Sequence, residues 1–272
     1  MFSPTNSSLK ILYWNANGLH DKIIELYDTL TTTNTHIACI SETHLLSTDH
    51  LHSHPDYHII HVPRIDTDRR AGGVAIILRR NIRYTLHHSP RTTLLEAVGI
   101  RIHLQSGKPL NVYSVYLPGG ASRGDIQQHF SSDINKLIRQ VQKNYFICGD
   151  LNAKHRFWNC VRANKASQIL YDEYCRHQFF IFHPDTPTHF PSATNSSPST
   201  IDLMLSDGGF EMSDLTCDEA DSDHNLVSFE IITDSSVSEA DMRKIPCFKN
   251  ADWNNYQNVV SVISLTLRQL MC

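Results

Sequence analysis

Short apolar runs recur along this chain, and one after another they stop at an amide, a carboxylate or an imidazole. Residues 9–14 run into Asn15-Ala16-Asn17-Gly18, and residues 36–40 run into Ser41-Glu42-Thr43-His44. Residues 145–148 lead to Gly149-Asp150-Leu151-Asn152, and residues 110–117 carry Tyr116 close to their end. Runs of this length, rich in β-branched and aromatic residues, read as strands. Between the first two, Ile23, Ile24, Tyr27 and Leu30 recur at helical spacing over residues 20–30. The chain therefore opens strand-helix-strand, and both strands discharge polar groups at their carboxyl ends, where open α/β sheets keep their sites.

The middle of the chain is strand-rich, over residues 57–62, 72–78, 97–104 and 110–117. Val98, Ile100, Ile102 and Leu104 alternate with Gly99, Arg101 and His103, a period-two pattern that predicts a half-exposed strand. Helices are predicted over 123–141 and 166–179, and strands over 201–205 and 226–232. Residues 183–200, rich in Pro, Ser, Thr and Asn, read as a long surface loop. At 272 residues, one large α/β domain is accommodated over 1–233. Residues 234–240 read as a linker. Beyond it Trp253, Tyr256, Val260, Ile263, Leu267 and Leu270 form an amphipathic pattern capped by Asp252, which reads either as a helix packed on the domain or as the start of a further region downstream.

The formal charge of −4 excludes a basic arm that coats nucleic acid by charge alone. Arg64, Arg69, Arg70, Arg79, Arg80 and Arg83 cluster in sequence and are spaced to track a phosphate backbone; for any single one, a solvated strand end is the simpler reading. Seven cysteines include no C-x-x-C pair, and Cys39 and Cys148 lie inside apolar runs, which predicts buried, reduced thiols. With no signal-peptide pattern and no stretch of roughly 18 apolar residues, the chain is expected in the nucleus or cytoplasm, with no membrane contact. A monomer is expected.

The polar clusters become specific when taken together. Alone, a glutamate after a strand is usually solvated, Gly-Asp is a common turn, and an Asp-His pair is more often a loop hydrogen bond. In combination they supply what phosphodiester hydrolysis needs. A hard divalent cation wants carboxylate and amide oxygens, which Glu42 and Asn15 offer. A water must be oriented and a leaving oxygen served, a task for Asp150. Asp202 can hold the tautomer of His224, while Asn152, Asn17 and Tyr116 can donate to phosphate.

The set Trp14-Asn15-Ala16-Asn17-Gly18-Leu19, Ser41-Glu42-Thr43-His44, Tyr116-Leu117-Pro118, Gly149-Asp150-Leu151-Asn152, Thr200-Ile201-Asp202 and Ser222-Asp223-His224 resembles the endonuclease/exonuclease/phosphatase superfamily. That superfamily includes pancreatic deoxyribonuclease and the apurinic/apyrimidinic endonucleases. Asn152-Ala153-Lys154-His155 with Trp158, Arg70-Ala71-Gly72-Gly73-Val74-Ala75, and Asp252-Trp253 are similar to the endonucleases of non-LTR retrotransposons, jockey-like elements in particular. The resemblance implies a two-sheet, four-layer α/β sandwich with mostly antiparallel mixed sheets and outer helices. It implies an Mg²⁺-dependent DNA endonuclease, with Mn²⁺ as a substitute, that nicks target DNA to leave a 3′-hydroxyl. The associated partner would be a reverse transcriptase region of the same polyprotein.

The same resemblance assigns roles. Asn15, Glu42 and Asp223 would hold the metal, and Tyr116, Asp150, Asn152, Asp202 and His224 would be catalytic. Asn17, Lys154, His155, Arg156 and Thr188 would contact substrate. One departure stands out: many relatives carry Asn soon after Tyr-x-Pro, and here Gly119-Gly120 follows. The alternatives are another phosphoesterase of the superfamily (a repair-type nuclease or a phosphoinositide phosphatase), a non-catalytic binding module that keeps the fold, or an interaction scaffold built on the terminal helix.

Overall fold

In a computed structural model of the chain, residues 7–64, 70–87, 91–177, 179–193 and 197–233 are described. The segment at 234–272, with its linker and amphipathic pattern, lies outside the described residues. Strand β1 (Ser7–Asn15) lies within the first sheet and is buried on both faces from Ile11 onward. Leu9, Ile11 and Tyr13 enter one apolar core, and Leu12 and Trp14 enter another. The strand pairs in parallel with β2 (Ile37–Ser41), and helix Ile23–Thr32 makes the crossover between them. That helix buries Ile23, Leu26, Tyr27 and Leu30 against Leu12, Trp14, Ala38 and Ile40.

Strands β3 (Tyr57–Val62) and β4 (Val74–Arg79) extend this sheet beyond β2. Its other flank is β13 (Leu226–Thr233), which pairs with β1, β11 (Glu211–Met212) and β12 (Thr216–Asp218). The second sheet runs β5 (Tyr84–His87), β6 (Glu96–His103), β7 (Pro109–Tyr116), β8 (Tyr145–Asp150), β10 (Asp202–Ser206) and β9 (Phe180–Phe182). It repeats the device of the first: β7 and β8 are parallel, and helix Ser131–Val141 lies between them in sequence. All other strand pairings among the described residues are antiparallel.

Three apolar clusters define the layers. Ile11, Cys39 and Ile76 from the first sheet meet Val112, Phe146 and Met204 from the second. Outside the second sheet, Phe130, Ile134, Leu137 and Leu170 from the helices cover Val115, Ile147 and Leu203. The order helix, sheet, sheet, helix is the four-layer α/β sandwich expected from the sequence.

Some details differ from the expectation. Strand β6 is buried on both faces for most of its length, because Gly99 lies under the ring of Tyr113; only Arg101 and His103 keep the predicted partial exposure. Helix 166–179 ends earlier, at Arg176, and starts from a capping box at Asn164. The predicted helix over 123–141 contains a π-helical turn, Ile126–Phe130. Cys39 and Cys148 are buried free thiols, as predicted. The arginine cluster is largely engaged within the protein: Arg64 pairs with Glu96, Arg70 with Asp49, Arg79 binds Asn34, and Arg80 binds the His54 carbonyl. No described helix is long and apolar enough to cross a membrane.

Candidate active site

The topology explains why residues far apart in sequence meet. Parallel strands deliver their carboxyl ends to one edge: Asn15 lies beside Ser41, and Tyr116 lies beside Asp150. The antiparallel partners deliver their amino ends there. Asp202 opens β10 opposite Asp150, and His224 stands just before β13.

At that edge the backbone is bent into uncommon conformations. Asn17, Glu42, His44 and Asn152 all have positive φ, at 43°, 50°, 53° and 44°. For residues other than glycine such angles are costly and tend to collect at working sites. Hydrogen bonds from neighbouring turns impose them: Gly18 N–H donates to the Glu42 carbonyl at 2.8 Å, and His44 N–H donates to the Gly72 carbonyl at 2.8 Å.

The Asn15 side chain joins the two sheets. Its amide nitrogen donates to Glu42 Oε1 at 3.1 Å and to Asp150 Oδ2 at 2.9 Å. Its oxygen accepts from the Asn17 backbone N–H at 3.0 Å, so in this arrangement Asn15 bridges two carboxylates. Glu42 also receives His44 Nε2 at 3.2 Å and a hydrogen bond from the Tyr116 hydroxyl. Burial raises the carboxyl, but the donors His44, Tyr116 and Asn15 outweigh it and hold Glu42 down to about 2. The Tyr116 hydroxyl is pushed well up by burial and by the charge of Glu42.

Asp202 and His224 form a buried pair, with Nδ1 and Oδ2 2.7 Å apart and the residues 0% and 4% exposed. Nδ1–H donating to Asp202 leaves Nε2 directed at the site, 3.4 Å from Asn15 Nδ2 and 4.0 Å from Asp150 Oδ2. Burial works against the imidazolium, yet the charge and hydrogen bond of Asp202, with Asp150 and Asp223 behind it, raise His224 to about 9. Asp150 moves upward too, through burial and the charge of Asp202, against the opposing pull of His224.

Asn152 donates to Asp150 from both its backbone (2.8 Å) and its amide (3.1 Å). Asn17 donates to Asp223 Oδ1 at 3.2 Å. Lys154, His155 and Arg156 lie on the surface segment that leaves β8. Thr188 does not reach the surface. It is fully buried, and its hydroxyl accepts from the backbone N–H groups of Ile201 and Asp202 at 3.2 and 3.3 Å, so it braces Asp202.

Several neighbours escaped the sequence reading. His189 packs its ring on His224 at 4.5 Å and places Nε2 3.6 Å from Asp223. Ser222 ties Asp223 and His224 to the Asn15 carbonyl, and Trp14 Nε1 donates to the His224 carbonyl at 3.0 Å. Ser222 and His44 stood within quoted motifs, but no spacing marked them out. His189 reaches the site through a loop pairing that local sequence does not encode.

Ligand atoms of Asp150, Asp202 and His224 lie within 4.8 Å of one another, as do those of His189, Asp223 and His224. The ionised Glu42 and the carboxylates of Asp150 and Asp223 add oxygen ligands. That chemistry suits a hard divalent cation.

The fold is shared with solved nucleases. The endonuclease domain of TRAS1, a telomere-specific non-LTR retrotransposon, superposes with a TM-score of 0.66 at 18% identity, over 82% of this chain and 98% of that one. The catalytic domain of APE2 from Xenopus laevis gives 0.67 at 18% identity, over 90% and 100%. In sequence, residues 12–224 match the endonuclease/exonuclease/phosphatase family, and the chain belongs to that family. The family's name describes hydrolases of phosphoester bonds. Among curated proteins, the RNA-directed DNA polymerase from mobile element jockey of Drosophila melanogaster is 27% identical over 81% of this chain and 23% of its own length. The probable RNA-directed DNA polymerase from transposon BS of the same species is 25% identical over 84% and 25%. The chain thus spans about a quarter of the length of the curated relatives it matches.

Proposed function

We propose that the chain is a divalent-metal-dependent DNA endonuclease that nicks a target strand and leaves a 3′-hydroxyl, as the endonuclease part of a retrotransposon polyprotein. The observation that carries this is the Asn15 amide, which donates to Glu42 on one sheet and Asp150 on the other, beside the Asp202–His224 pair at 2.7 Å. Glu42, Asp150 and His224 Nε2 thus gather around the one Asn15 amide, close enough to address a single phosphate group.

Glu42, with Asn15 and Asp223, would hold the cation. When bound, it supplies positive charge to the phosphoryl and leaving oxygens. His224, kept protonated near neutral pH, meets the developing charge on a phosphoryl oxygen through Nε2–H. Asp202 holds that imidazolium in place. Asp150, its carboxyl raised toward neutrality by burial, is suited to move a proton at Oδ2, with Asn152 fixing its rotamer. Water adds to phosphorus, the bond to O3′ breaks, and O3′ takes up a proton. Tyr116 and Asn17 donate to the phosphate, and Lys154, His155 and Arg156 lie where the flanking backbone would pass. A polymerase region joined to this chain would extend the new 3′-hydroxyl.

The test is supercoiled plasmid with Mg²⁺ or Mn²⁺, with EDTA and His224→Ala as controls. Expected are nicked circles that a polymerase can extend, absent with EDTA and reduced at least ~100-fold in the variant. A folded protein that nicks with no divalent cation overturns the proposal. Hydrolysis of inositol phosphates in its place moves the chain to the phosphatase branch.

A further inference from the structure

The segment that follows β8 has its own chemistry. Residues 151–171 contain Lys154, Arg156, Arg162 and Lys165 and not one aspartate or glutamate, in a chain of net charge −4. Within it Phe157 is 46% exposed. Its ring is held by other rings: edge-on to Trp158 at 6.4 Å and 85°, edge-on to Tyr171 at 5.5 Å, and tilted on Tyr174 at 5.6 Å. Trp158 is itself fully buried and anchored by Nε1 donating to the Ala153 carbonyl at 2.8 Å. Phe157 is therefore an exposed aromatic group with little freedom left to lose on binding.

The segment is also fixed to the catalytic edge. Asn164 donates to the Asn152 carbonyl at 2.7 Å and accepts from Lys154 N–H at 3.1 Å. A cleft of about 360 Å³ opens alongside, lined by Ala121, Arg123, Asn164, Lys165 and Gln168.

Cations with an exposed ring among them form the combination that holds single-stranded nucleic acid. The charges follow the phosphates, and the ring stacks on a base of any sequence. A paired base is already covered on both faces by its neighbours and must be unstacked before it can use such a ring. A docked protein would find two exposed apolar side chains, Phe157 and Val161, in a segment whose charged residues are all basic, a poor match to the apolar centre of a protein interface.

We propose that segment 154–165 binds an unpaired stretch of the strand being cut, with a base stacked on Phe157 and phosphates met by Lys154, Arg156, Arg162 and Lys165. This rests on the reading of DNA as substrate, and it assigns that substrate a single-stranded region beside the cleaved bond.

Fluorescence anisotropy on the 272-residue chain, with labelled oligo(dT) and a duplex of equal length in EDTA, tests it without cleavage. Phe157→Ala should lower the preference for oligo(dT) over duplex by roughly 5- to 100-fold. Phe157→Leu, which keeps apolar packing but has no π-face, should do the same, and Phe157→Trp should restore the preference. An unchanged preference in both Ala and Leu variants overturns the inference. So does wild-type protein with no measurable affinity for oligo(dT), which would leave the patch to a protein partner. Plasmid nicking separates the two readings. Nicking without a Phe157 effect on oligo(dT) sinks only the stacking platform, whereas oligo(dT) binding without nicking sinks only the endonuclease.

Discussion

Glu42 occupies a left-handed conformation, φ 50°, in which a glutamate is strained by about 1–3 kcal/mol. Donors around its carboxylate offset that cost, so the geometry persists because Asn15, His44 and Tyr116 all use it. A different single-residue device holds the far side of the second sheet. Asp133 is fully buried and accepts from the backbone N–H groups of Thr93, Leu94 and Leu95. Asp133→Ala would leave those donors unpaired, and urea unfolding should show a loss of about 2–4 kcal/mol.

Three histidines carry pH dependence, with both signs. His36 and His58 are held below the ordinary value, first by burial and then by Arg79 and Arg80 respectively. His36 Nδ1 accepts the Lys10 N–H at 3.0 Å, which requires the unprotonated nitrogen. The folded pKa lies below the unfolded value of about 6.5, so the unfolded chain binds more protons between the two. The stability they contribute is complete above that value and is lost as pH falls through the folded pKa. His224 has the opposite sign: its contribution is complete below about 6.5 and is lost as pH rises toward about 9. The clean measurement is therefore a difference. Between pH 7.5 and 5.5, wild type should lose stability relative to His36→Gln, and parallel urea midpoints would refute the assignment.

At the scale of elements, the turn at Gly72-Gly73 supports the Glu42 loop. Gly73 has φ 83°, and a side chain there would put Cβ 2.5 Å from Thr43 Oγ1. Its carbonyl accepts the Thr43 N–H. Gly73→Ala should cost about 1–3 kcal/mol and reduce nicking more than that loss explains, read by urea unfolding beside the plasmid assay.

The elements also show what the sequence made legible. Strands β1, β2, β7 and β8 were readable because each carries an apolar run buried on both faces, and their polar ends marked the edge where the candidate site lies. Strands β5, β9, β11 and β12 span two to four residues each, and pairing rather than composition defines them. Thr188, a substrate contact by resemblance alone, is turned inward by the tertiary fold, where its hydroxyl accepts from the backbone of Ile201 and Asp202. The convergence of Asn15 and Asp150, 135 residues apart, depends on the stacking of two sheets, which no local pattern records.

For the whole molecule, a cation binding only the folded chain must stabilise it. Mg²⁺ at one hundred times its Kd should add about 2.7 kcal/mol. A rise in Tm that disappears in Glu42→Gln would locate the cation, and an identical rise in both proteins would place it elsewhere. The same edge has a mechanical consequence. One half of the candidate site is carried by the first sheet and the other by the second, and their faces meet through apolar side chains that have no directional preference of their own. Slippage of the layers by half a residue, ~1.7 Å, would separate Asn15 from Asp150 while leaving both sheets paired within themselves. Along a rising series of urea concentrations, turnover should therefore vanish ahead of the circular dichroism signal, making cleavage rate a sensitive ruler of how the two layers are aligned.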